Sequence, residues 1–143
     1  MWGYIVIIFM AAISFLFLPL PQDFKHAPQD MSIITDNFNH YQGAVIAFYN
    51  DNPGTTGVIP DGSLNLISGY SAIGPWQNQV AGGILYIYTP NGQRMVHDVV
   101  RQMKNSRRVG LNRSGRIISP LYGDLDLTLP AFIPEGSLVT VFQ

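Results

Sequence analysis

Cysteine is absent from all 143 residues. That excludes disulfides, thiolate metal sites, a cysteine nucleophile and a lipid-modified cysteine near the N-terminus. Charge is scarce as well: Asp, Glu, Lys and Arg make up 12% of the chain, roughly half of what globular proteins usually carry. A net charge of −1 gives no global attraction to nucleic acid, so none is expected as a partner. Motifs that carry chemistry are missing too. His26, His40 and His97 stand alone, with no H-x-x-x-H or H-E-x-x-H spacing, and there is no G-x-S-x-G elbow, S-x-x-K pair or phosphate-binding G-x-x-x-x-G-K-[ST] loop. His40 borders the apolar stripe of a helix and reads as a partly buried ring with a backbone partner. Asp124 and Asp126 form a D-x-D pair that could hold a hard cation, but on an alternating strand both face solvent, and no metal is expected there. Neither Asp124 nor Glu135 has an identifiable carboxylate partner for glycoside hydrolysis. The chain therefore reads as a non-enzyme without cofactor or small-molecule substrate.

What the chain does have is one long apolar run. From Trp2 to Leu18 there is no charge, and the first charged side chain is Asp23. As a helix this run would be roughly 25 Å long, close to the hydrocarbon thickness of a bilayer. It is apolar all round, which argues against a helix lying flat on the surface. Trp2 and Tyr4 suit the headgroup region at one end, and Pro19 and Pro21 stop the helix at the other. A cleaved signal peptide would bring a basic n-region and a small-residue cleavage site, and neither is found. Residues 1–20 are read as a transmembrane anchor, 21–30 as a proline-rich, semi-extended linker, and 31–143 as one globular domain. Only Lys25 lies close to the span, offset by Asp23, so charge leaves the orientation open.

In the domain, Asp30 or Ser32 is the expected cap of a helix whose apolar face is Ile34, Phe38, Tyr41, Val45 and Phe48, at spacings of four and three. Thr35, Asp36, Asn39 and Gln42 fall largely elsewhere, Gly43 suggests close approach of a neighbour, and NDNPG at 50–54 ends the helix. A short extended piece at Gly57–Ile59 and a brief strand at Leu64–Ile67 follow, then an irregular connection over 68–78 carrying Tyr70 and Trp76. Ile84–Thr89 is the strongest strand, β-branched and aromatic, followed by the turn signal Asn91-Gly92. Val96, Val99, Val100 and Met103 predict a second, short helix within 94–108. Val109–Leu111 and Arg116–Ser119 flank NRSG as a hairpin. Leu125, Leu127 and Leu129 alternate with polar residues as a half-buried strand, and Leu138–Phe142 forms a last one. The fold class is α+β: an amphipathic helix packed on a mainly antiparallel sheet, plus the second helix.

Two compositional features bear on partners. Asn and Gln number 17, so the domain's polarity is largely uncharged, as suits a surface that packs against other proteins. Seven of the eight Lys and Arg residues fall between 94 and 116, namely Arg94, Arg101, Lys104, Arg107, Arg108, Arg113 and Arg116. Only Asp98 opposes them within the segment, leaving it at +6 while the remainder stands at −7. This segment is the candidate docking patch for an acidic partner or anionic headgroups; a merely solvated surface is the plainer alternative.

Several pieces in order then carry a resemblance. They are the helix end from Tyr41 through Ala44, Val45 and Phe48-Tyr49 to Asn52-Pro53; the G-x-L-Y-x-Y strand from Gly83 to Tyr88; V-G-x-N-x-x-G from Val109 to Gly115; and L-P-x-x-I-P-x-G-S-x-V from Leu129 to Val139. Together they resemble the small PilM family of thin, type IVb-like conjugative pili, which is distinct from the larger actin-like protein of the same name. The resemblance implies a single-pass component of the bacterial inner membrane. Its globular part would lie in the periplasm and bind other pilus machinery or pilin proteins, with self-association left open. It implies no catalytic residue. The alternative is a minor pilin-like subunit that enters the filament. Against it stand the absence of a basic leader and of a Gly-Phe-type processing site, and the interruption of a continuous helical spine by Pro19, Pro21 and Pro28.

Overall fold

The structure, a computed structural model, describes residues 23–104 and 108–143, with side chains from residue 31 onward. The expected anchor lies outside the described residues, among which no helix is long and apolar enough to cross a membrane. The chain forms helix α1 (Asp23–Asp51), a 3-10 turn (Asp61–Ser63), strands β1 (Gln77–Ala81) and β2 (Ile84–Thr89), a second 3-10 turn (Gly92–Arg94) and helix α2 (Val96–Gln102). Strands β3 (Val109–Arg113), β4 (Arg116–Ser119), β5 (Gly123–Thr128) and β6 (Leu138–Phe142) follow. The fold is α+β, as expected, with six strands among the described residues in the order β1-β2-β6-β3-β4-β5. Every pairing among them is antiparallel.

Helix α1 differs from expectation at its start. It begins at Asp23, so residues 23–30, expected as an extended linker, are helical and no cap is needed at Asp30 or Ser32. Pro28 falls in the second turn, where its missing N–H removes a single ladder bond close to the helix end. The apolar stripe behaves as expected: Phe38, Tyr41 and Val45 are buried, with Ile34 and Phe48 packed at the margins. Thr35 and Gln42 are also buried, because a second face of α1 meets α2. There Gln42 Nε2 donates to Asn39 Oδ1 at 3.1 Å, Asn39 Nδ2 donates to Gln102 Oε1, and Gln102 Nε2 donates to Asp36 Oδ1 at 3.0 Å. His40 is exposed and not partly buried.

The β1–β2 and β3–β4 hairpins each turn through two residues with positive φ: Gly82 at 61° and Gly83 at 76° in the first, Ser114 at 51° and Gly115 at 75° in the second. Such pairs match the right-handed twist of the strands they join. The expected strand at Leu64–Ile67 is irregular chain instead, although Leu64 is buried and Leu66 packs on the core. Conversely, β1 occupies the end of the stretch expected to be irregular; QNQVA has little apolar signal, and pairing to β2 makes it a strand. Gly57 bridges to Val80, so the short extended piece adds to the edge of β1. Asn91-Gly92 does turn the chain, but into α2 and not into a hairpin.

The central strands of the sheet are buried on both faces, whereas the edge strand β5 has no buried residue. Leu85, Ile87, Val109 and Leu138 meet Phe38 and Val45 of α1 and Val96, Val99 and Val100 of α2. On the other face Tyr86, Tyr88, Ile117, Val139 and Val141 lie under Leu129, Phe132 and Ile133, which belong to the strap connecting β5 to β6. This explains the unbroken burial along β2 and β6, where adjacent side chains point to opposite layers that are both dry. Gly110 sits where β3 passes β4 closely: a β-carbon there would lie 2.6 Å from the Ile118 carbonyl oxygen and 2.7 Å from Ile117 Cγ2.

Two glycines give opposite expectations. A β-carbon added to Gly43 would have no neighbour within 4 Å, so the close approach expected there does not occur. Gly43→Ala should raise unfolding stability by about 1 kcal/mol through helix propensity alone. Gly110→Ala should lower it by about 1–3 kcal/mol through overpacking. Urea denaturation of the two variants checks both signs.

Candidate functional site

The basic segment does not fold into one patch. Arg94 closes the 3-10 turn before α2, Arg101 lies on α2, Lys104 follows it, Arg108 precedes β3, and Arg113 and Arg116 stand at the β3–β4 turn; Arg107 lies outside the described residues. Strand β3 separates Arg108 from Arg113 by about 17 Å along its axis. Arg116 is committed to carboxylates. Its Nε meets Asp124 Oδ2 at 2.9 Å and its Nη2 meets Asp126 Oδ1 at 2.6 Å. The D-x-D pair thus clamps a guanidinium across β4 and β5. Asp126 adopts φ 60° at the register shift between these strands, and its N–H is held by Asp124 Oδ1 at 2.9 Å. The two aspartates hold Arg116 above the usual arginine range. Arg101 lies 3.9 Å from Asp98 and is largely exposed, a pairing worth little in water. It also borders a cleft of about 320 Å³ between the helices, with Met31, Ser32 and Gln102. Of the seven cations, Arg101 and Lys104 are the exposed pair around the end of α2.

Sequence reasoning missed the role of asparagine. Three asparagines act inside the fold, each tying irregular chain to a regular element. Asn37 on α1 accepts at Oδ1 from Trp76 Nε1 at 2.7 Å, from Tyr70 Oη at 3.1 Å and from the Ile73 N–H at 3.3 Å. Its Nδ2 donates to the Ser71 carbonyl at 2.9 Å. Asn78 on β1 is buried; its Oδ1 accepts from the Ile59 N–H at 2.8 Å, and its Nδ2 donates to the Ile59 carbonyl and to Tyr41 Oη at 3.0 and 2.8 Å. Asn112 on β3 donates to the carbonyls of Ile133 and Pro134 and accepts from the Gly115 N–H, pinning the strap to the hairpin. Asn112 was visible beforehand as the polar member of V-G-x-N-x-x-G; Asn37 and Asn78 carried no local signal.

The first two clamps shape a cleft of about 390 Å³ beside α1, walled by Tyr41 and Trp76 and floored by Asn78, with Asp61 and Val58 at its mouth; Tyr88 borders it from β2, its ring turned to Phe132 on the other face of the sheet. Trp76 is fixed on several sides: Asn37 holds its Nε1, Phe38 packs at a ring distance of 5.1 Å, and its six-membered ring lies on Gly74, where a β-carbon would collide at 2.3 Å. Tyr41 Oη receives the Asn78 amide and donates to Asp61 Oδ1 across 3.5 Å. Burial pushes the Tyr41 hydroxyl up to about 12, with the nearby Asp61 charge adding to the shift and the Asn78 hydrogen bond opposing it. Burial likewise raises Tyr70, Tyr86 and Tyr88.

These tyrosines set an alkaline limit on stability. The unfolded chain releases a tyrosine proton near pH 10, while the folded domain holds that of Tyr41 to about 12. The contribution is therefore whole below pH 10 and is lost as pH rises towards 12, by about 3 kcal/mol for this group. Stability should be flat across neutral pH and fall above 10. In Tyr41→Phe the alkaline slope should be shallower, with a loss of about 1 kcal/mol at neutral pH from the missing hydrogen bonds. Denaturant midpoints measured from pH 7 to 11.5 read both effects.

With this geometry in place, comparisons with known proteins define the chain's relatives. No curated protein matches the sequence. Among solved structures, a protein of Escherichia coli B7A designated PilM superposes with a TM-score of 0.62 at 14% identity, over 81% of this chain and 94% of that one; at this identity the likeness concerns the fold. A protein of Pseudomonas aeruginosa 2192 with the same designation gives a TM-score of 0.42 at 22% identity, over 78% and 94% of the two chains. The PilM family model matches residues 6–141, which takes in all but the last residue of the final strand, the asparagine-clamped loops and most of the apolar N-terminal run. The chain belongs to the PilM family.

Proposed function

We propose that this protein is an assembly component of a type IV, IVb-like pilus apparatus serving conjugation. Residues 2–20 hold it in the bacterial inner membrane as a single pass, and the domain works in the periplasm through contacts with pilin or other pilus proteins, without catalysis. The observation that carries this reading is the extent of the family match. It begins at residue 6, inside the apolar run, and ends at residue 141, inside β6. Apolar segment and head are thus one family unit, and membership links the chain to pilus biogenesis. The apolar length supports an anchor, and a rigid head with few charges supports a role in protein contacts.

A second reading, a minor pilin-like subunit within the filament, draws on one structural observation. Helix α1 extends back to Asp23 through Pro28, so Pro28 does not break the helix as expected, and a long N-terminal helix packed on an antiparallel sheet suits a filament subunit. The assembly reading is preferred because Pro19 and Pro21 stand between the apolar run and α1, where each takes a backbone donor away from a continuous helical spine.

Docking through the end of α2 is tested by reversing its exposed charges. Arg101→Glu combined with Lys104→Glu should leave thermal stability within about 0.5 kcal/mol of the parent, as surface changes do, and should cut the number of pili per cell at least tenfold. Unchanged piliation by a normally expressed double variant would show that these cations are only solvated.

A further inference from the structure

We infer that the cleft beside α1 is a receptor for an arginine side chain presented by an extended segment of a partner protein. Three observations converge on a cation of this shape. First, two walls are aromatic: Tyr41 and Trp76 line the cleft, and aromatic rings attract cations, the flat guanidinium most readily of the protein cations because it also stacks. Second, the one charge at the cleft is negative and unneutralised. Among the described residues no Lys or Arg lies within ion-pair distance of Asp61, which sits exposed at the rim and engages Tyr41 Oη only at 3.5 Å. Arg116, by contrast, draws two carboxylates to itself, so pairing is the rule where a cation is within reach.

Third, the walls are set before anything binds. Trp76 is held by Asn37, Phe38 and Gly74, and Tyr41 is held by Asn78, which is itself bonded to both backbone groups of Ile59. A site whose side chains are already ordered loses little conformational entropy on binding. The volume, about 390 Å³, fits one long side chain and not a folded element, and Val58, 65% exposed beside it, offers an apolar shelf for the neighbouring residue. Lysine should bind less well, as a compact and strongly hydrated charge that cannot stack or make a two-pronged contact with a carboxylate. The inference rests on the binding-protein reading only in taking the ligand to be a protein segment.

The test uses the full-length protein and three capped tripeptides, acetyl-Gly-Arg-Gly-amide and its lysine and norleucine counterparts, followed by two-dimensional NMR. The arginine peptide should give a saturable shift of the Trp76 indole N–H and the Asn78 side-chain amide. It should bind at least threefold more tightly than the lysine peptide, with no saturation for norleucine, and the affinity should fall as salt is raised. Asp61→Asn should weaken the arginine peptide at least fivefold while leaving the spectrum of the folded domain otherwise intact. Equal binding by Asp61→Asn, equal binding of arginine and norleucine, or shifts that map away from Trp76 and Asn78 would each overturn the assignment. Saturable, Asp61-dependent binding in a protein whose Asp61→Asn variant supports normal piliation would uphold the receptor and count against the pilus-assembly role, so the two readings fail separately.

Discussion

The whole sheet depends on its last strand. β6 lies between β2 and β3, and those two strands have no pairing with each other. Before residues 138–142 arrive, the chain has one hairpin in β1–β2 and a meander in β3–β4–β5, each with an open edge. β6 satisfies both edges at once, placing Leu138 in the layer under the helices and Val139 and Val141 in the layer under the strap. A two-stranded hairpin is marginal in water by itself, so the domain gains its stability from a pairing that spans about fifty residues on one side and about thirty on the other. The strap is part of the same event, because it delivers the chain to β6 and covers the second face with Leu129, Phe132 and Ile133.

Once the sheet is closed, the irregular chain around it is held by amide side chains as well as by the packing of Ile59, Leu64 and Ile133. Asn37, Asn78 and Asn112 each present a donor and an acceptor to a loop, and each completes backbone groups that no strand or helix serves. A buried amide satisfied in this way is specific about position, because a shift of the loop leaves unpaired polar groups behind. The scarcity of ionic groups then makes sense. Asparagine fixes loops at short range without the cost of desolvating a charge; among the described residues Arg116 is paired with Asp124 and Asp126, while Arg101, 3.9 Å from Asp98, is largely exposed. Asp61 is exposed as well, at the mouth of the aromatic cleft.

Much of the fold was legible. The stripe from Ile34 to Phe48, the strand Ile84–Thr89, the hairpin about NRSG and the strand Leu138–Phe142 all declared themselves, because each carries the period or turn chemistry of its own element. What stayed hidden had no local signature. β1 is a strand through its pairing with β2, since Gln77, Asn78 and Gln79 supply no alternation of apolar residues. Residues 23–30 read as linker because proline dominates local propensity, whereas the backbone carries the helix through Pro28. Thr35 and Gln42 fall off the apolar stripe, which matches one neighbour, yet both are buried because α1 has two. The candidate surfaces were legible only in part. Clustering in sequence suggested a single basic patch, yet β3 carries Arg108 and Arg113 to opposite ends and the aspartates of β5 neutralise Arg116. The cleft brings Tyr41, Asp61 and Trp76 together from separate stretches of the sequence, a juxtaposition that only the folded chain makes.

The head carries an aromatic cleft with Asp61 at its mouth and, around the end of α2, the exposed cations Arg101 and Lys104. The assembly role proposed above keeps the protein with the machine when filaments leave the cell. The direct measurement is to shear piliated cells, separate released filaments from inner membrane, and determine the intact mass of the protein in each fraction. Full-length protein confined to the inner membrane is the predicted result; a shortened form in the filament fraction would contradict it and make the chain a pilin-like subunit.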